Sequence, residues 1–281
     1  MLRKGLAFAA LGLALLAAPA FAATTHEEPK DIHWSFEGPL GKYDQAQLQR
    51  GYKVYREVCA ACHSMNLVYF RNLGQKGGPF YDPKYPNPNE NPYVKSLAKD
   101  IQVKDIDQDT GDVISRPAIA ADKFPAPFPN EPAARASNGG ALPPDLSVIA
   151  KAREGGPAYV YSILTGFTAA PHGMSVPPGK YYNPYMPGDM SSFWSGSADK
   201  VPVGGFIAMP PPLKPNLVTF DDGKPSTVEQ EAKDVSAFLS WASEPKMEER
   251  KQFGLGAMIY LLIFSGLLYA SYRKIWKNVS H

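Results

Sequence analysis

Apolar residues recur at helical spacing in two stretches that bracket most of the chain. From about residue 44 to 62, Leu48, Tyr52, Tyr55 and Val58 fall on one stripe, and Asp44 with Gln47 three positions on resembles a capping box. From about 226 to 243 the stripe is Val228, Ala232, Val235, Leu239 and Ala242, opened by Ser226 and Glu229 in the same relation. Both are expected to be amphipathic helices that bury those faces. In a small domain such a pair can cross and close one side of a pocket.

Two other stretches are apolar without a polar face. Residues 253 to 272 are 20 positions without a charge, enough to cross about 30 Å of hydrocarbon at about 1.5 Å per residue. Arg273, Lys274 and Lys277 follow directly, and Tyr269, Tyr272 and Trp276 supply interfacial rings. A single transmembrane anchor is therefore expected over residues 251 to 274, with 275 to 281 in the cytoplasm. At the other end, Arg3 and Lys4, an apolar run over 6 to 18 and the small-residue site Ala20-Phe21-Ala22 give residues 1 to 22 the form of a cleaved secretory signal. The two ends agree on one topology, with residues 23 to 250 on the far, periplasmic side of a bacterial inner membrane.

Between these landmarks periodicity weakens. Residues 77 to 132 combine ten prolines with Asp100, Asp105, Asp107, Asp109 and Asp112 and are expected to be mostly surface loop. Short helices are expected within 130 to 149, ended by a Gly turn and Pro143-Pro144, and over 155 to 166, closed by Gly166. Residues 171 to 215 are again rich in Pro and Gly. With 28 prolines and 24 glycines in 281 residues, the chain stays below the roughly 25–30% share that marks low complexity. A net charge of +2 and 44% hydrophobic content exclude a nucleic-acid-binding polycation and a disordered polyelectrolyte.

The chemistry is concentrated in Cys59-Ala60-Ala61-Cys62-His63, which contains both cysteines of the chain. Two sulfurs three positions apart can add to the two vinyl groups of one haem, while the adjacent histidine supplies a proximal iron ligand. A disulfide, a thioredoxin-like redox pair and a zinc half-site use similar spacing. No second cysteine pair exists to complete a four-ligand zinc site, and the secretory signal suits covalent haem c. For a second axial ligand the candidates are Met174, Met186, Met190, Met209 and His172. Met65 is too close to His63 in sequence to reach the opposite haem face. Met209 is favoured because Pro210, Pro211 and Pro212 stiffen the backbone that follows it.

The segments GYKVYREVCAACHSM, PNEPAARASNGGALPPDLS, YYNPYMPGD, IAMPPPL and DDGKPSTVEQEAKDVSAFLSWASEP, followed by one C-terminal anchor, resemble the cytochrome c1 family. The likeness covers nearly the whole mature chain. It implies a mainly α fold: a cytochrome c-type haem domain with long Pro/Gly-rich loops plus one C-terminal transmembrane helix. It implies iron ligation by His63 and Met209, a haem propionate partner at Arg135, and haem packing by Leu142, Pro143 and Leu146. The implied role is one-electron transfer within a quinol–cytochrome c reductase, the cytochrome bc1 complex, with no bond-making catalysis of its own. Implied partners are cytochrome b, the Rieske iron-sulfur protein as donor and a soluble cytochrome c as acceptor, in a dimeric complex. The rival readings are another membrane-anchored cytochrome c, such as an oxidase subunit, and a haem sensor or enzyme with an open iron position. Some bacterial relatives carry an extra cysteine pair near the methionine loop; this chain has none, so packing and prolines must hold that loop.

Overall fold

A computed structural model describes residues 25–278. The signal assigned to residues 1 to 22 and the terminal His281 lie outside the described residues. Helix α1, Gln45–Glu57, starts where the sequence places it, with the Asp44 carboxylate accepting the Gln47 amide at 3.1 Å. It ends before the expected Cys62, because the chain tightens into a 3-10 turn at Cys59–Ala61. There the amides of Cys62 and His63 both donate to the Cys59 carbonyl, at 3.1 and 2.9 Å. The motif thus sits on a tight turn at the end of the helix.

The stretch expected to be loop is more ordered than its prolines suggest. After the short α2, Phe70–Leu73, helix α3 spans Pro92–Lys99. Buried Asn91 caps α3 by accepting the Tyr93 and Val94 amides and donates its own amide to Phe80 O. Pro92 falls at the first helical position, where its missing N–H costs nothing. Strands β1, Gln102–Ile106, and β2, Val113–Pro117, then form an antiparallel hairpin with Ile106 opposite Val113. The β-branched residues favour pleated backbone, and Asp107 folds the turn by accepting the Asp109 and Thr110 amides.

Helices α4, Glu131–Ser137, and α5, Gly156–Thr165, match the two short helices expected. A second antiparallel pair, β3, Tyr181–Asn183, and β4, Gly205–Ile207, closes the methionine-rich region. It is tied to α5 by Asn183 Nδ2 donating to Ile163 O at 2.8 Å.

Helix α6, Val228–Ser243, is the centre of the core. Its cap is Thr227, whose hydroxyl accepts the Gln230 amide, and not Ser226 as the sequence pattern suggests. Ser226 instead donates to the fully buried Glu231. The helix also buries far more than one stripe: Asp234, Ser236, Ala237, Phe238 and Trp241 are all inside. It crosses α1 at Gly51, where a Cβ would lie 2.1 Å from the Asp234 carbonyl, so only glycine permits the approach. The crossing also carries a buried polar knot. The Asp234 carboxylate, 0% exposed, accepts from Arg50, Gln47 and Gln230.

Helix α7, Met247–Trp276, extends the expected span by four residues at its start and two at its end. Residues 253 to 276 are largely exposed, as an apolar helix made for lipid would be; it is the one described helix long and apolar enough to cross a membrane. Its first turn belongs to the head: Met247 is buried in the core and Glu248 accepts the Tyr43 amide at 3.0 Å.

Candidate haem site

The turn after α1 presents Cys59 half-buried, Cys62 exposed and His63 half-buried, and the two thiols are not joined in a disulfide. Burial, then the neighbouring Cys62, pushes the Cys59 thiol up to about 12. His63 is oriented by a single bond, Nδ1–H donating to Pro144 O at 2.8 Å. A carbonyl can only accept, so the proton is fixed on Nδ1 and the Nε2 lone pair remains available. Burial lowers the imidazole's pKa, partly offset by the Pro144 bond, which keeps the ring neutral near pH 7.

The segment that accepts this bond is clamped to the chain leaving the motif. Asp145 Oδ2 accepts from Ser64 Oγ and the Asn66 amide, both at 2.8 Å, and its Oδ1 accepts the Ser147 amide at 2.8 Å. Ser147 Oγ accepts the Leu67 amide at 3.0 Å, and the Leu146 amide donates to Ser64 O at 2.9 Å. Burial opposes the charge on Asp145, but the bonds from Ser147, Asn66 and Ser64 outweigh it and hold the carboxyl below its ordinary range. Asp145 and the Pro144 carbonyl are functional positions that periodicity does not reveal. The available signal was Asp145 two residues before Ser147, the spacing of an Asx turn.

Of the other expected site residues, Leu146 is in the core and belongs to the clamped segment, while Leu142 and Pro143 are half-buried and lie just before it. Arg135 is exposed on α4, and its Nη1 donates to Gly140 O at 3.2 Å, within its own loop. Met209 is half-buried just beyond β4. Of the rival methionines, only Met186 accepts a side-chain hydrogen bond among the described residues. Met186 Sδ accepts from the Tyr159 hydroxyl at 3.7 Å, Met190 is buried, and Met174 bridges Trp194 through its backbone. His172 is exposed.

A cleft of about 310 Å³ opens beside the motif, lined by Ala60, Ala61, Tyr55, Phe70, Phe124 and Pro127 among others. Among the described residues no group of three or more His, Cys, Asp and Glu side chains gathers as a metal cage. The donor set fits a haem c: two unpaired thiols at the required spacing and a neutral imidazole with a free Nε2. The Cytochrome C1 family profile matches residues 34–279. The chain belongs to the cytochrome c1 family.

Similarity to named members agrees. The chain is 38% identical to cytochrome c1 of Rhodospirillum rubrum, over 92% of this chain and 93% of that protein. It is 45% identical to the mitochondrial cytochrome c1 heme protein of Kluyveromyces lactis, over 81% of this chain and 69% of that one. It is also 42% identical to cytochrome b/c1 of Bradyrhizobium diazoefficiens, over 98% of this chain, but spans only 41% of that longer relative. Membership of the cytochrome c1 family implies a covalent haem c, electron transport as part of a bc1 complex, and membrane anchoring through the C-terminal helix. Cys59 and Cys62 are present for the attachment.

Proposed function

We propose that this chain is the haem-bearing subunit of a cytochrome bc1 complex, taking one electron from a Rieske iron-sulfur protein and passing it to a soluble cytochrome c. The observation that carries the proposal is the fixed tautomer of His63, with Nδ1 committed to Pro144 O and Nε2 free, one residue from a pair of unjoined thiols. Cys59 and Cys62 would hold the haem through thioether bonds, and His63 and Met209 would be its axial ligands. Bound haem c supplies a one-electron couple, and a methionine thioether on it favours the reduced state. The rest of the protein's work is positional. The 144–147 clamp orients the imidazole, Leu142, Pro143 and Leu146 keep water from the site, and Arg135 would lie at a propionate.

The anchor supports a single-pass topology with the head on the periplasmic side of a bacterial inner membrane, since Arg273, Lys274 and Lys277 follow the span. Residues 1 to 22 would be removed as a signal. Cytochrome b is the expected membrane partner, a reading supported by the relative named cytochrome b/c1, and the whole complex is expected to be dimeric. The test is purification of the intact complex from membranes. It should contain a cytochrome b, a Rieske protein and one covalent haem on this chain, and the reduced haem should not bind carbon monoxide, because both axial positions are filled. Co-purification with oxidase subunits, or ready binding of carbon monoxide, would favour the rival readings.

A further inference from the structure

The base of the head carries an apolar turn whose place is set by the membrane helix itself. Trp34 and Phe36 are buried and stacked, with ring centroids 5.5 Å apart, and Phe36 packs on Tyr43 at 4.8 Å. Between these fixed rings the chain runs out and back through Gly38, Pro39 and Leu40. Backbone bonds from Glu37 N to Trp34 O and from Lys42 N to Ser35 O, at 3.2 and 3.0 Å, hold the turn. At Gly41 a Cβ would meet the Glu37 carbonyl at 1.9 Å, so the turn can close only on glycine. The residue pushed outward is Leu40, 74% exposed, the most exposed large apolar side chain outside α7.

A single exposed leucine is ordinary on a soluble surface. Its location here is not. Lys251 of α7 donates through Nζ to Phe36 O at 2.6 Å and Gly41 O at 3.3 Å, the two ends of the turn. Lys251 stands two residues, roughly 3 Å along the axis, before Phe253, where the uncharged span begins. Glu248, one helical turn further back, accepts the Tyr43 amide and fixes the other flank. The turn is thus pinned to the helix two residues before the uncharged span begins, where Phe253 is 81% exposed and Leu40 74%.

We propose that the Gly38-Pro39-Leu40 turn is a second membrane contact, with the Leu40 side chain seated in the lipid interface beside α7. An interfacial apolar residue enters only the outer roughly 5–10 Å of the bilayer. A helix alone would let the head swivel about one axis; a helix and a side contact fix its orientation and the height of its site above the membrane.

With both native cysteines taken up by haem, Leu40→Cys supplies one free thiol on an exposed position that the core does not need. The full-length, haem-bearing variant is spin-labelled and reconstituted into vesicles of phosphatidylethanolamine and phosphatidylglycerol. Collision rates are then measured with oxygen, which partitions into lipid, and with a water-soluble nickel chelate. Asp112→Cys at the hairpin turn is the aqueous reference, and the parent chain shows whether Cys59 and Cys62 take label, which would count against haem attachment and not against the contact. The proposal expects an oxygen-to-nickel ratio severalfold higher at position 40 than at position 112. Equal ratios would place the turn in water, and low collision rates with both reagents would mean that protein covers it; either result overturns the proposal.

Discussion

On the histidine side of the site, His63 is followed within four residues by Ser64, Asn66 and Leu67, each bonded to the 144–147 segment, and preceded by a helix locked to α6 at Gly51 and Asp234. On the methionine side, Met209 follows a strand of three residues paired to another of three, and leads into prolines. One side is fixed by a dense set of side-chain bonds and a buried crossing, the other by a short ladder and stiff backbone. The difference matches the demands on the two proposed ligands. The histidine must keep one tautomer and one ring plane, which takes directional hydrogen bonds; a thioether needs only to be delivered at a suitable distance. It also separates what each side's loss should do: damage to the histidine side should cost structure or the haem itself, and damage to the methionine side should cost potential while leaving the fold intact.

The largest effect is expected from replacing both cysteines. Cys59→Ser with Cys62→Ser should abolish covalent attachment, so that acid-acetone extraction removes all haem from the chain. Haem that resists extraction would show that the turn after α1 is not the attachment site. Next comes Asp234→Ala in the crossing beneath that turn. Arg50, its side chain only 10% exposed, would lose its buried partner, and removing one member of a buried ion pair costs about 3–5 kcal/mol. Denaturant melts should show that loss, with the midpoint potential of surviving folded protein little changed. A loss below about 1 kcal/mol would mean that water or Asp222 replaces Asp234, and that the crossing is less decisive than its geometry indicates.

The methionine side is probed by Met209→Leu. The variant should keep its haem and its melting behaviour but favour the oxidised state. A hundredfold shift in that equilibrium corresponds to a fall of about 120 mV, at roughly 59 mV per tenfold for one electron. An unchanged potential would move the ligand to Met174, Met186 or Met190.

How much of this was legible in the sequence follows the same division. The α1 stripe, α5 and the membrane helix could be read because each is specified by neighbours in sequence: helical period, caps and length. The hairpin at 102–117 was hidden because prolines and aspartates nearby look like loop, while its strands alternate too briefly to stand out. The burial of Glu231 and Asp234 was hidden for another reason. A polar residue on a helix reads as solvent-facing until its partner is known, and those partners, Ser226 and Arg50, depend on how the elements pack. The spacing of Ser226 to Glu229 fits a capping box, yet the chain uses Thr227. Met209 is a different case: the prolines that follow it singled it out, and its choice over Met174, Met186 and Met190 rests on the sequence.

Asp145→Asn tests the clamp at finer scale. Each oxygen of Asp145 accepts a bond in the folded state, so its pKa is depressed. A depressed carboxyl contributes stability that is fully present above its unfolded value near about 3.9 and is lost as pH falls through the lower folded value. The amide should therefore cost about 1–2 kcal/mol at pH 7 and make the fold less sensitive to acid below about pH 4. An acid-unfolding curve that shifts in parallel with the parent's would remove Asp145 from the groups that titrate with folding.

The smallest effect concerns how the head meets a soluble partner. Residues 23 to 245 hold 21 basic and 25 acidic side chains, so the exposed domain is acidic although the whole chain is not. A basic cytochrome would be steered toward it, and such steering acts on the association rate and fades as salt shortens the Debye length from about 10 Å at 0.1 M to about 3 Å at 1 M. The hairpin narrows which carboxylates can serve. Asp105 pairs with Arg116 at 2.6 Å, and Asp107 caps the turn, so replacing these two would disturb the hairpin itself. Asp109 and Asp112 expose side chains at the turn without such duties and can be changed cleanly. Asp109→Asn with Asp112→Asn should slow association severalfold at low salt, flatten its ionic-strength dependence and leave the midpoint potential alone, as stopped-flow reduction of the acceptor would record. If the salt dependence of the double variant overlays that of the parent, the hairpin's charge is only solvated. Docking would then fall to acidic groups nearer the clamped histidine side, where the 144–147 segment, with Val148 exposed beyond it, flanks the site.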